Sequence, residues 1–258
     1  MGFLHFEELF RPPFHSFYRK IKVVLLSTKG IIFRTVRYSE SSLIVEVFTQ
    51  EKGLVSFFMN GVFKKASLRL PSILQLANQI ELVAYYNESK NLHRIKEVSV
   101  SKIYTRINQD IHYSAISTFI LEISRQCIRD SSAHPELYFF LANSLTKLDD
   151  AQTLDSNYHI HFLVQFSHYF GFFPLSNYSN SRNSFDLVNG LFIPYDEKNK
   201  YSVLPEHSIL INQLIGGERI HIDLTQRRII MQILLQYYQI HIDQFKMPNS
   251  PQIFRSIL

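Results

Sequence analysis

Cationic side chains recur at strand-like spacing along the first third of the chain, with aromatic rings between them. Lys29, Arg34 and Arg37 fall in or beside one β-branched run, and Lys64, Lys65 and Arg69 cluster in a connection. Arg94 and Lys96, two residues apart, share one face of a further run. Phe57 or Phe58, Phe63, Tyr85 and Tyr86 stand among them. Single-stranded nucleic acid is held by this mixture, cations meeting phosphates and flat rings meeting bases. Strand alternation turns about half of such rings inward, so only some are expected to reach solvent.

Residues able to do covalent chemistry are badly placed for it. The chain has no GxGxxG, no GxxxxGK followed by Ser or Thr, no GxSxG and no HExxH. Its one cysteine, Cys127, lies on the apolar side of a helical pattern. That suits a core thiol, since a reactive thiolate needs polar, electropositive surroundings. His159 and His161 look like a ligand pair, but i and i+2 on a helix point about 200° apart. His161 and His168 share a face yet stand about 10 Å apart along the axis. Neither catalytic nor metal-binding residues are expected, and no cofactor. Two rival readings stay open beside nucleic-acid binding. A processing enzyme such as a metal-dependent nuclease would need clustered carboxylates, whereas residues 1–106 contain no Asp and scatter their Glu. A non-DNA-binding adaptor would carry its basic charge incidentally.

The charge distribution sharpens the first reading. Residues 1–106 hold 16 Lys and Arg against 8 Asp and Glu, a balance of +8, while residues 107–258 carry −3, giving the net +5 of the 258-residue chain. A basic front half fits a polyanion, and an acidic back half does not. Hydrophobic residues make up 46%, enough for a real core. Apolar runs stay well below the ~18 residues of a membrane span. A single cysteine rules out an internal disulfide framework and suits a reducing compartment.

The elements that must position these residues change period near residue 106. From Val23 to about Tyr104 the pattern is β. VVLLSTKGIIFRTVRY, SLIVEVFTQ, LVSFFMN, QIELVAYYN and NLHRIKEVSVSKIY read as five strands separated by turn residues. Leu43, Val45 and Val47 share one face, as do Ile80, Leu82 and Ala84. A short helix is expected in the connection before the fourth strand. Five short strands with a helical insertion suit a small closed barrel such as an OB-fold. After Asn108 the period is 3.6. One helix carries Ile111, Ile116, Phe119, Ile120, Ile123 and Cys127 on a face, and Pro135 opens a second, PELYFFLANSLTKL. A third is capped by Asp155 or Ser156 and ends at Gly171 and Pro174. FDLVNGLFI is strand-like, EHSILINQLIG is a short helix, and Asp223 or Thr225 starts the last long one. SPQIFRSIL adds a turn or two at the end. The class expected is α+β, a five-stranded OB-fold barrel over residues 23–106 followed by an α-helical domain over 107–258. Residues 1–22, broken by Pro12-Pro13 and with Glu7 and Glu8 where a signal peptide would be basic, read as an appended arm or a misassigned start, dispensable for folding.

These residues resemble a family. TKGIIFRTVRYSESSLIVEVFT, EKGLVSFFMNGVFKKASLRLPSILQ and QIELVAYYNESKNLHRIKE are similar to the amino-terminal domain of RecO, the bacterial recombination mediator. HFLVQFSHYFGFFP and YYQIHI fit its helical half. The likeness covers residues 24–245 or so and is nearest a Bacteroidetes-like group. It implies single- and double-stranded DNA binding, annealing of complementary strands, and loading of RecA onto DNA coated by single-strand-binding protein. The partners implied are RecR and the tail of single-strand-binding protein, in the bacterial cytoplasm and at the nucleoid during repair. Many members carry a four-cysteine zinc module matching 175–205. Here that region has no cysteine, so packing must replace the metal. The tail is acidic and ends apolar, so its pocket needs a cationic rim. Arg125, Arg129, Arg227 and Arg228 are the candidates in the helical half, with Arg125 and Arg129 placed i,i+4 on one cleft edge. The alternative is that these two pair with Glu122 and Asp130 or face water.

Overall fold

The computed structural model describes residues 23–64, 69–129, 132–218 and 220–250. Five strands follow the apolar alternation: β1 (Val24–Arg37), β2 (Leu43–Thr49), β3 (Gly53–Met59), β4 (Gln79–Tyr86) and β5 (Leu92–Lys102). They close into a barrel in the order β1-β2-β3-β5-β4. Closure depends on the length of β1, whose first half pairs with β4 and whose second half pairs with β2. Gly30 sits where both pairings overlap. A Cβ there would lie 2.3 Å from Val47 Cγ1, so only glycine lets the strand turn this tightly against its neighbour. β3 and β5 form the one parallel pair of the barrel.

Ile32, Val45, Val47, Val55, Phe57, Ile80, Leu82 and Ala84 fill the interior. Both triplets read as inward faces from the sequence, 43/45/47 and 80/82/84, are buried there. A register shift between Ile32 and Arg34 breaks the alternation in β1. The bulge puts two successive residues outside: Phe33 enters the second core while Arg34 faces solvent. The short α1 (Leu70–Ile73) precedes β4 as expected, and Thr35 donates to the carbonyl of Leu74 behind it.

Apart from one small hairpin, the remainder is helical: α2 (Arg106–Gln109), α3 (Ile111–Cys127), α4 (Pro135–Asp150), α5 (Tyr158–Phe166), α6 (Pro205–Ile215) and α7 (Leu224–His241). Its core is continuous with the outer barrel wall, because Ile31, Phe33 and Phe48 pack with Phe119 and Tyr138. Polar contacts reinforce this junction. Gln79 Nε2 donates to the carbonyl of Ala142 at 3.0 Å. The buried Asp149 carboxylate accepts from the backbone N–H of Thr105 and of Ile107, at 3.0 and 2.8 Å.

Several local expectations change. Ile111 is 62% exposed, because it opens α3 before the helix reaches the core. The N-cap of α5 is Asn157, and Asp155 instead accepts from its N–H. Asp223 does cap α7, in a box with Gln226. FDLVNGLFI forms a hairpin rather than one strand: β6 (Ser184–Asp186) and β7 (Leu191–Ile193). The buried Asp186 carboxylate organises it. Oδ1 accepts from Val188 N–H, Asn189 N–H and Asn189 Nδ2, and Oδ2 accepts from Asn199 Nδ2. The arm 1–22 and most of SPQIFRSIL, residues 251–258, lie outside the described residues. Among the described residues no helix is long and apolar enough to cross a membrane.

Candidate nucleic-acid interface

Arg34, Arg37, Lys64, Arg69 and Arg94 are all exposed and, among the described residues, none is ion-paired with a carboxylate. Arg37 is held in place without losing its charge. Its guanidinium donates to the carbonyls of Ser39 and Glu40 and lies 5.1 Å from the ring centroid of Phe63. Two other candidates are locally balanced. Lys29 faces Glu81 across the β1–β4 pair at 3.7 Å, and Lys96 meets Glu97 at 2.9 Å, a contact that holds its pKa above the usual lysine value. Lys65 lies outside the described residues. The rings divide as alternation demands: Phe57 and Tyr86 are buried, Phe63 and Tyr85 are exposed, and Phe58 is half-buried.

The loop after β4 is anchored from inside the barrel. His93 stacks on Tyr86 with centroids 4.4 Å apart, and its Nδ1 accepts from Asn87 N–H at 3.3 Å. Burial, helped by the nearby Lys90 charge, lowers the His93 pKa, so the ring accepts this bond in its neutral form. Residue-type reasoning missed two contributors. Tyr38, 67% exposed, stands edge-on to Phe58; it follows the end of β1 beside a polar turn, which was the available signal. Glu46 could be found only in three dimensions, because its partner is 79 residues away.

That partner is Arg125, whose Nε and Nη2 fork onto the Glu46 carboxylate at 2.5 and 3.0 Å and whose pKa rises through this hydrogen bond. Arg125 therefore ties α3 to the barrel. The structure separates the four arginines proposed as one rim. Arg129 donates to the carbonyl of Asp243 and lines a cleft of about 760 Å³ with Ile128, His134, Leu137, Tyr169 and Phe170. Arg227 is turned inward, donating to Asn157 Oδ1 and Ser156 Oγ at 3.1 and 2.8 Å. Arg228 is exposed. Glu122 pairs with neither Arg125 nor Arg129. It accepts from the N–H groups of Asn249 and Ser250, and Asp130 lies outside the described residues.

Of the groups screened for chemistry, Cys127 and His159 are buried, His161 is half-buried and His168 is exposed. Burial pushes the Cys127 thiol up to about 12, far from a thiolate at neutral pH. His159 is 2% exposed, and burial, with the charges of Arg227 and His161, brings its pKa down to about 3. Among the described residues no three His, Cys, Asp or Glu side chains converge as metal ligands. The 175–205 lobe offers zinc no thiolate, and the Asp186 hydrogen bonds span the turn at its centre.

Fold and surface together define a class: an OB-fold barrel, of the kind that receives oligonucleotides or oligosaccharides, presenting cations and rings and backed by a helical domain. A family described as "Recombination protein O N terminal" matches residues 23–104, and "Recombination protein O C terminal" matches 108–251. The DNA repair protein RecO of Flavobacterium psychrophilum is 31% identical over 241 residues, 90% of this chain and 98% of that protein. The protein of the same name from Phocaeicola vulgatus is 27% identical over 91% of this chain and 99% of its own length. A solved asparaginyl-tRNA synthetase from Entamoeba histolytica overlaps 41% of this chain and 31% of that one, with a TM-score of 0.28 at 12% identity. The chain belongs to the RecO family of DNA repair and recombination proteins.

Proposed function

We propose that this chain is a non-enzymatic recombination mediator of the bacterial cytoplasm. It binds single- and double-stranded DNA on the barrel, anneals complementary strands and, with RecR, helps load RecA onto DNA coated by single-strand-binding protein. One observation carries the reading: exposed barrel cations with no carboxylate against them, Arg34, Arg37, Lys64, Arg69 and Arg94. Such cations release counterions when they meet phosphates, and they carry no base-reading helix. Binding is therefore driven by charge and indifferent to sequence. The helical half takes the protein partner. The cleft beside Arg129 combines apolar walls with one cation, which suits the acidic, apolar-ended tail of single-strand-binding protein. Arg129, rather than Arg125 or Arg227, is the residue to meet that tail's charge.

Titrating labelled single-stranded DNA across a salt series tests this. Four to six phosphate contacts give a log–log slope of roughly −3 to −4. A flat dependence overturns DNA binding by charge and favours an adaptor. Cleavage of the probe with Mg²⁺ or Mn²⁺, abolished by a Glu substitution, would make the chain a nuclease.

A further inference from the structure

Outward positions on four barrel strands line up into one row. Backbone pairing sets Phe58 of β3 beside Arg94 of β5, Arg94 beside Tyr85 of β4, and Tyr85 beside Leu25 of β1. The chain neighbours Phe57, Ile95, Ala84 and Tyr86 are buried in the barrel, so the row points away from it. Tyr85 is 44% exposed and Leu25 59%; Arg94 is exposed and Phe58 half-buried. Tyr38 meets Phe58 edge-on with centroids 5.6 Å apart, which orients the Phe58 ring. Neighbouring strands lie about 4.8 Å apart, so the two ring positions are separated by about 10 Å with an arginine between them.

The geometry points to this row as a base-stacking platform that selects single-stranded over double-stranded DNA, the strand crossing β3, β5 and β4 rather than running along them. The inference rests on the reading of the barrel as the DNA-binding module and adds to it the residues that tell one strand from two. Every base has a π-face, so a ring takes any base. The guanidinium between the rings meets the phosphate linkage between two stacked bases. A duplex keeps its bases paired inside and can use only the Arg94 charge. That charge, unopposed by a carboxylate among the described residues, favours a polyanion over an apolar protein surface at the centre of the row.

The test uses the full chain and three labelled probes of equal length: a mixed-sequence single strand, the same strand with abasic sites through its middle, and the duplex. Tyr85→Ala and Phe58→Ala should each weaken single-strand binding at least about five-fold while duplex binding stays within about two-fold. Neither should change the salt slope, because no phosphate contact is lost. Arg94→Ala should weaken both forms and lower the single-strand slope by about 0.7. The wild type should bind the abasic strand less tightly than the intact one, and Tyr85→Ala should no longer distinguish them. Tyr85→Trp, which keeps a ring at an exposed position, should retain the preference even if Phe58→Ala perturbs the fold. Equal losses on strand and duplex would overturn the platform, and so would unchanged binding of both, which would leave the row to a protein partner. Failure of the wild type to bind any probe would instead overturn the reading of the barrel on which the platform rests.

Discussion

The two halves of this molecule use their cations in opposite ways. On the barrel, Arg34, Arg37 and Arg94 stand exposed, and the bulge at Phe33 turns Arg34 outward. In the helical half, Arg125 is bound to Glu46, Arg129 to Asp243 and Arg227 to Asn157 and Ser156. The first set is available to a ligand; of the second, Arg125 and Arg227 are spent on the protein itself, and Arg129, 43% exposed at the cleft, is the one still open to a partner. Charge counted along a sequence does not separate these uses, because an arginine bound to a carbonyl and one facing water add the same +1. What distinguishes them is whether the acceptors in reach tie the side chain to a distant element, as for Arg125 and Arg227, or only to the adjacent turn, as for Arg37 with the Ser39 and Glu40 carbonyls.

The largest expected effect is at the buried end of this contrast, where Arg227 adds to the burial that keeps His159 neutral. Unfolded, the imidazole takes up a proton near its ordinary 6.5; folded, it does so only near about 3. The unfolded chain thus binds more protons between these values. Stability is full above pH 6.5 and falls as the pH drops toward 3. On the order of a few kcal/mol is at stake. Melting curves between about pH 7 and pH 4 should show the wild type losing more stability than His159→Gln. Parallel curves would remove His159 from the account.

Next is the exposed end. Converting both Arg37 and Arg94 to Glu should weaken single-strand binding about a hundredfold at ~0.1 M salt, while Arg228→Glu stays within about two-fold. Fluorescence anisotropy reads both, and equal losses would show that exposure alone, rather than position on the barrel, decides DNA contact. Smaller again is the 175–205 lobe, where Asp186→Ala takes a shared, buried acceptor from part-buried donors and should cost about 1–3 kcal/mol in urea denaturation. EDTA should leave the wild-type melting temperature unchanged, and a drop would mean that a metal supports the lobe. The smallest effect belongs to Arg125→Ala. Its pair with Glu46 is 41% exposed on the arginine side, so its loss should cost less than about 1 kcal/mol and leave DNA binding intact. A large loss of DNA affinity there would move Arg125 from the interdomain tie to the binding surface.

Strands were legible wherever one face is buried and the other wet. Val45 and Val47 alternate with Ile44 and Glu46, and a period of two has one structural solution. The helices were legible for the same reason at a period of 3.6, and the capping box at Asp223 is a local signal that needs no distant partner. Ile111 was misplaced because periodicity marks a face without marking where along the helix the core begins. The hairpin inside FDLVNGLFI was hidden because each strand is only three residues long, too short for a period to show.

The candidate site divides in the same way. Which residues are cationic or aromatic, and that the front of the chain is basic, belongs to the sequence by itself, as does the five-strand pattern of the barrel. The sequence also excludes a cysteine zinc site, since no fold can supply absent thiolates. Tertiary structure alone decided that Glu81 balances Lys29, that Glu46 binds Arg125, and that Arg227 turns inward toward Asn157, 70 residues away. It alone brought Phe58, Arg94 and Tyr85 side by side from three strands. The physical reason is range. Period and capping act over a few residues of chain, whereas a charge is neutralised or left free by whatever lies within about 4 Å of it in space.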